Sequence, residues 1–323
     1  MSDYNVLHGL KVKYLSSDPS NPEDGQVWYN SSSNTLKVAE VTSATAAGSW
    51  ASGGAVGTGR TTSSAGTQTA NVIMGGQAPP NTSNVEEYNG SSWSEVNNMP
   101  YIAPNLGGTG TQTAAIAIGG YYNVSTTAEY DGTNWSSGGS LNTGREIMTG
   151  GAGTQTAALA IGGYVREPGA VNKVESYNGS SWSVAPTLNT ALYGRAGSGT
   201  TSAALAGGGQ NGSQSSATEE YNGSSWSTVN ARPYGAGSAM ASGTQTAALN
   251  FGGNPSSNLT TTVSYDGTNW SAEANMATGR AMGGGSPAGT TSSALASTGS
   301  SAGTATEEFT VPVSTGVKTL VSS

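Results

Sequence analysis

Carboxylates are the commonest reactive groups in this sequence, and they are not scattered. Eight of the 19 acidic residues (Glu86, Glu87, Glu129, Glu175, Glu219, Glu220, Glu307 and Glu308) recur at one place in a repeating pattern. A ring of carboxylates can bind cations or supply acid–base chemistry. Recurrence in copy after copy fits a structural task better, each Glu answering a recurrent Arg (Arg60, Arg145, Arg195, Arg280) or backbone N–H groups. Glu146, Glu167 and Glu273 lie off the repeat. Glycoside hydrolysis needs two carboxylates at one non-repeating site, and nothing in the sequence pairs these three. With one His, His8, and no Cys, the chain offers no structural zinc set, no thiolate nucleophile and no Ser-His-Asp triad. Calcium has no D-x-D-x-D-G loop. No catalytic residue, metal or cofactor is expected.

The elements that position these residues come from an internal repeat. GTQTANVIMGG begins at Gly66, GTQTAAIAIGG at Gly110 and GTQTAALAIGG at Gly153; GTTSAALAGGG begins at Gly199, GTQTAALNFGG at Gly243 and GTTSSALASTG at Gly289. A second element follows, with Tyr and Trp always five apart: Tyr88/Trp93, Tyr130/Trp135, Tyr177/Trp182, Tyr221/Trp226 and Tyr265/Trp270. The sixth copy reads EEFTV (307–311) and lacks its Trp, whereas Trp50 has no preceding Tyr. Successive Trp residues from 50 to 270 are 43, 42, 47, 44 and 44 apart, a period suited to four short strands per unit. One unit is therefore expected to be built from both chain ends, closing a ring.

Within one period the reading is strand a (REIMTGGAG), turn, strand b (TAALAIGG, small and apolar, buried on both faces), strand c (KVESY), turn, strand d (SSWSVAP). Asn178-Gly179 and its counterparts predict a two-residue type I′ hairpin between c and d. The 49 glycines and the 9% charged residues, which alone could suggest disorder, fit this plan. Strands a crowd at an axis where only Gly, Ala and Ser fit, and the six Trp of the repeat pack at the wide rim. The 14 Tyr argue likewise for a packed protein. A net charge of −8 argues against nucleic-acid binding. No apolar run is long enough to insert in a membrane, and MSDYNVLHGLKVKYL lacks the apolar stretch of a secretory signal.

Such a ladder puts the uniform a–b and c–d turns at one end, and the b–c and d–a loops, which vary in length and content, at the other. Tyr101, Tyr121, Tyr122, Asn123, Tyr164, Arg166, Tyr193, Asn211, Arg232 and Tyr234 fall in or beside those loops. Rigid tyrosines among adaptable polar residues resemble a recognition surface suited to stacking on sugars. Tyr121 and Tyr164, directly after Gly-Gly, could equally end strand b and pack locally.

The glycine doublet, the strand-c Tyr, the strand-d Trp and the Arg opening strand a resemble the kelch repeat over about residues 46–310. That resemblance implies an all-β fold, a six-bladed kelch-like β-propeller closed by N- and C-terminal strands, and no single function. The sixth copy departs, with Gly299 alone in place of the doublet. Ser264, Asp266, Gly267 and Trp270 also resemble the sialidase Asp-box, one residue short, a structural turn without catalytic weight. Residues 1–45 differ in character. Lys11-Val12-Lys13-Tyr14, Ser17-Asp18-Pro19, Asn21-Pro22, Gly25 to Asn30 and Thr35 to Val38 are similar to a segment near the N-terminus of structural proteins of tailed phages, especially marine ones. GQVWYN and TLKVAEV read as a hairpin around SSSN. This hairpin either docks the chain to a virion, through Trp28, Tyr29, Leu36 and Val38, or merely extends the propeller.

The expected organisation is thus a docking segment (1–45), a propeller (46–311) and a C-terminal tail (312–323). The expected function is a phage virion structural protein, a tail fibre or tail-tip adhesin that binds a host surface glycan or outer-membrane protein. Its other partners would be virion proteins reached through the N-terminal segment. A capsid or tail decoration protein that binds only virion proteins is the alternative, and a glycan-degrading propeller enzyme is a third reading.

Overall fold

The computed structural model describes residues 12–20, 22–23, 25–42, 47–147, 151–312 and 314–320. His8, Lys11 and Asn21, and residues 148–150 of one expected strand a, lie outside them. The described residues are all-β, with no helix. The chain divides into two compact units, Gly48–Thr310 and Met1–Ala47 with Val311–Ser323.

The larger unit is a propeller-like series of antiparallel sheets, five of them four-stranded. Sheet 1 holds Thr61–Gly66, Asn71–Gln77, Thr82–Tyr88 and Trp93–Val96 as strands a to d. In sheet 2 these are Gly107–Thr111, Ala114–Ile118, Thr127–Tyr130 and Trp135–Ser137. Sheet 3 comprises Gly151–Thr154, Ala157–Ile161, Val174–Tyr177 and Trp182–Ala185. Ala196–Gly199, Ala204–Gly207, Thr218–Tyr221 and Trp226–Val229 make sheet 4. Sheet 5 consists of Met240–Gly243, Ala248–Phe251, Thr262–Tyr265 and Trp270–Ala272. Sheet 6 has three strands, Ser293–Ser297, Thr306–Thr310 and Ser49–Ser52, so its outer strand comes from the other end of the unit, with Trp50 opposite Phe309. Its inner segment, GGGSPAGT, makes only isolated bridges such as Gly284 to Ser297. Pro287 has no N–H to give a ladder there.

The inner strands crowd as the composition requires. A Cβ at Gly151 would lie 2.6 Å from the carbonyl oxygen of Gly108, and one at Gly197 2.6 Å from that of Gly151. Residues from the inner segments of all six sheets, among them Ser64, Gly108, Gly151, Gly197, Met240 and Gly285, line one narrow void of about 20 Å³. Strand b is buried on both faces, as in Ala157–Ile161.

The c–d turns are where expected but of another type. Tyr88 pairs with Trp93 and Tyr177 with Trp182, leaving four loop residues rather than two. Only the Gly is left-handed (Gly179, φ +88°), and Asn178 keeps negative φ. The Asn178 side-chain oxygen instead accepts from the N–H groups of Ser180 and Ser181, at 3.0 and 2.9 Å. An Asx cap thus replaces the type I′ geometry.

The Arg–Glu expectation holds for four of the eight strand-c carboxylates. Arg60, Arg145, Arg195 and Arg280 pair with Glu86, Glu175, Glu219 and Glu307, all with buried side chains. Glu86 also accepts from the backbone N–H groups of Gly57 (2.6 Å) and Thr58 (3.4 Å). The carboxylate therefore clasps the loop that delivers the arginine. Burial pushes the Glu175 carboxyl up, but its donors, the N–H and amide of Asn142 and the Arg145 guanidinium, hold it below its ordinary value.

The second Glu of strand c does something the sequence reading did not foresee. It accepts from the strand-c Tyr hydroxyl of a neighbouring sheet: Tyr130 to Glu87 (2.9 Å), Tyr177 to Glu129 (2.5 Å), Tyr265 to Glu220 (2.9 Å) and Tyr88 to Glu308 (2.5 Å). The GTQT glutamines latch the same junctions. Gln155 donates to the carbonyls of Ala115 and Tyr130, and Gln112 to those of Asn71 and Tyr88. Both devices are missing together between sheets 3 and 4, where Ser176 and Thr201 occupy the two positions, and between sheets 5 and 6, where Ser264 and Thr291 do. Apolar packing takes over there, through Leu159, Leu188 and Trp226 at the first junction and Trp50, Phe251 and Phe309 at the second.

The smaller unit is one four-stranded sheet. Lys13–Leu15 runs parallel to Val27–Asn30, which pairs antiparallel with Thr35–Thr42, which pairs with Ser314–Leu320. The hairpin is therefore present, and the segment expected as a separate tail supplies its fourth strand. Asp18 ties the sheet to its preceding loop by accepting from Trp28 Nε1 (3.0 Å), Asn30 Nδ2 (2.7 Å) and Lys37 Nζ (2.6 Å). These donors, Lys37 foremost, lower the Asp18 pKa from 3.8 to about 2. A depressed folded-state pKa contributes stability above the unfolded value that is lost as pH falls. Titration of the Asp18 carboxyl followed by NMR is expected to give a midpoint near 2, with this unit losing stability between about pH 4 and 2. A midpoint near 3.8 would contradict the clamp.

Candidate functional site

The antiparallel ladders place the b–c and d–a loops at one end of each sheet, above the Arg–Glu clasps. At that end, backbone bridges join four of the d–a loops to the following b–c loop: Glu146 with Tyr164, Tyr193 with Gln210, Gly237 with Asn254 and Ala281 with Ser300. The last two bridges carry small or short polar side chains. The first two carry Glu146, Tyr164 and Tyr193, so bulk and charge gather around sheets 2 to 4. There Tyr121, Glu146, Tyr164, Arg166, Glu167 and Tyr193 line an open depression of about 490 Å³.

Each side chain is held. Tyr164 and Tyr193 meet edge to face, ring centroids 5.1 Å apart, and Tyr121 and Tyr122 meet in the same manner at 4.2 Å. The Arg166 guanidinium lies 4.0 Å from the Tyr122 ring centroid, and donates to the Tyr121 hydroxyl at 3.3 Å. Its backbone N–H donates to Asn123 Oδ1 at 3.1 Å. Tyr122 and Asn123 are both left-handed, at φ +64° and +58°. Two consecutive non-glycine residues in that region cost about 1–2 kcal/mol each, and such strain gathers at binding sites. Tyr164, Arg166 and Glu167 ride on the short hairpin of Tyr164–Val165 and Gly169–Ala170. Glu146 is 4% exposed and accepts from Asn105 Nδ2 at 3.1 Å. Burial raises its pKa against that hydrogen bond, a second from the Tyr122 backbone N–H, and the longer-range pull of Arg166.

Of the ten loop residues singled out in the sequence, Tyr121, Tyr122, Asn123, Tyr164, Arg166 and Tyr193 thus come together. Asn211 is exposed beside them, donating to the Ala191 carbonyl at 3.4 Å. The other three do not join this surface. Tyr101 packs against the core cluster containing Met99 and Leu106. Arg232 is 2% exposed and donates to the Ala236 carbonyl at 2.7 Å, its cation 4.9 Å from the Tyr234 ring. Tyr234 is half-buried with its hydroxyl turned inside, so this pair packs inward and does not line the depression. The structure also brings together two carboxylates that the sequence left unpaired, Glu146 and Glu167. One signal marked Glu146: the residue after the recurrent Arg is Thr61, Ala196 or Ala281 in the other copies.

In the smaller unit, register aligns Tyr14, Tyr29, Leu36 and Leu320 in one row across the sheet. Tyr14 is 66% and Leu320 42% exposed, with Tyr29 and Leu36 half-buried between them. Val38, half-buried, shares their face by parity. Trp28 does not: it is fully buried, because adjacent strand residues point to opposite faces. It is a core residue, which corrects its expected place on the docking surface.

The chain matches no protein-family model and no curated protein.

Proposed function

We propose that Gly48–Thr310 is a six-bladed kelch-like β-propeller and that the chain is a phage virion structural protein, a tail fibre or tail-tip adhesin. Its variable-loop face binds a host surface glycan or receptor. Closure of the ring is supported by the repeat of one junction design around it. Tyr88 of sheet 1 meets Glu308 of sheet 6 as Tyr130 meets Glu87. Gln68 donates to the Phe309 carbonyl as Gln112 does to that of Tyr88. The Ser64 hydroxyl donates to the Gly285 carbonyl between inner segments.

The observation that carries the binding reading is the depression of three tyrosines, one arginine and two carboxylates at the variable-loop end of the repeat. Aromatic faces stack on the apolar faces of sugar rings, while Arg, Glu and Asn side chains hydrogen-bond hydroxyl groups. Attachment to other virion proteins is assigned to the row of Tyr14, Tyr29, Leu36 and Leu320, and rests on the N-terminal resemblance. That row also suits a decoration protein whose partners are all virion proteins. Antibodies raised against the full chain separate the two readings. For an adhesin they label virions and block adsorption. Labelling without a block would favour decoration, and no labelling would overturn a virion role.

A further inference from the structure

The charges of the depression do not balance. Among the described residues the ion pairs are Lys37–Asp18 and the four buried Arg–Glu clasps, and neither Glu146 nor Glu167 is in one. The depression's own cation, Arg166, is committed to the rings and hydroxyl of Tyr121 and Tyr122. Glu146 has given up nearly all its water and receives only neutral donors, the Asn105 amide and the Tyr122 backbone N–H. A buried carboxylate without a cation is costly, and an ammonium brought by a ligand would recover that cost in charge-assisted hydrogen bonds. On the same wall, Tyr164 and Tyr193 carry no cation over their rings, whereas Arg166 already occupies the other tyrosine pair. The open side of the site therefore combines aromatic faces without a cation and two carboxylates in no ion pair.

We infer that the depression selects a hexosamine bearing a free, cationic amine, its ring against Tyr164 and Tyr193 and its ammonium on Glu146 and Glu167. This rests on the reading of the site as a glycan site and names the sugar class it takes. N-acetylation would remove the charge and put an uncharged amide where the carboxylates stand. A neutral hexose would leave Glu146 without a cation.

The test uses calorimetric titration of the full chain with three β-1,4-linked tetrasaccharides, of glucosamine, of N-acetylglucosamine and of glucose. The glucosamine oligomer is expected to bind at least about tenfold more tightly than the other two, the equivalent of about 1.4 kcal/mol. Glu146→Gln keeps an acceptor for Asn105, and Glu167→Gln lies on an exposed hairpin. Each is expected to remove most of that preference, weakening binding of the glucosamine oligomer far more than binding of the glucose oligomer. Equal affinities, or a preference for the acetylated or neutral oligomer, would overturn the charge selection and leave the glycan reading standing. Binding of none of the three oligomers, and of no bacterial surface polysaccharide, would overturn both.

Discussion

Arg60→Ala is expected to destabilise the larger unit by about 3–5 kcal/mol, a large share of the roughly 5–15 kcal/mol that holds a typical domain folded. The Arg60 side chain is fully buried, and its guanidinium contacts Glu86 at 2.6 Å and the carbonyls of Gly75 (2.9 Å) and Thr58 (2.9 Å). Truncation would strand Glu86, 1% exposed, with backbone N–H groups for partners and no cation. The loss comes from the orphaned charge more than from the missing contact. Sheet 2 supplies the control. Its strand c has Ala128 where Glu86 stands, and Leu106 precedes its strand a where Arg60 precedes that of sheet 1. Both are buried. The double variant Arg60→Leu with Glu86→Ala is therefore expected to cost clearly less than either single change, although it removes more polar contacts. Urea unfolding of the three variants checks this. Equal costs for the single and double variants would mean that the pair is ordinary packing and the carboxylate carries no uncompensated charge.

Much of this plan is legible in the sequence because it repeats. A residue type that returns at one register position in copy after copy cannot be serving a unique site, so a structural Arg–Glu pairing is legible without coordinates, but which Glu of strand c answers the Arg is not. The Asn-Gly turns were located by the same logic, but their type was not. The side-chain oxygen of Asn178 caps two N–H groups of a four-residue loop, and that competes with the two-residue geometry the dipeptide otherwise favours. What lies off the repeat was legible only by composition. Tyr121, Tyr164 and Tyr193 gather because bridges such as Glu146 to Tyr164 fold one loop onto the next, and sequence spacing holds no trace of that. Arg232 and Tyr234 have the same loop composition, yet the Arg232 side chain and the Tyr234 hydroxyl end up buried. Burial was decided by the crowding of Gly207 and Gly208 against the guanidinium, not by residue type. For Trp28 and Tyr29 the limit is parity: neighbours on one strand cannot both face a partner.

The second large effect concerns the Tyr164–Tyr193 pair. Each ring is half-buried, and the two are held edge to face by backbone bridges that do not involve their side chains. Truncating both would remove the aromatic wall and leave those bridges in place. An aromatic face that stacks on a ligand ring is worth about 1–2 kcal/mol, so the double variant Tyr164→Ala with Tyr193→Ala should lose about 2–4 kcal/mol of binding, on the order of 100-fold in Kd. Stability should change far less than in Arg60→Ala, because both rings are only half-buried and neither is in a core cluster among the described residues. Val184, 78% exposed on an outer strand, offers a neutral comparison through Val184→Ala.

Binding of the full-length chain to a panel of bacterial surface polysaccharides, measured in parallel for the unmodified protein, the Tyr164/Tyr193 double variant and Val184→Ala, is the most direct test. The account predicts that the unmodified protein and Val184→Ala bind the same polysaccharides, and that the double variant, folded by its urea transition, loses them by about 100-fold. Undiminished binding by the folded double variant would show that the depression is not the recognition site.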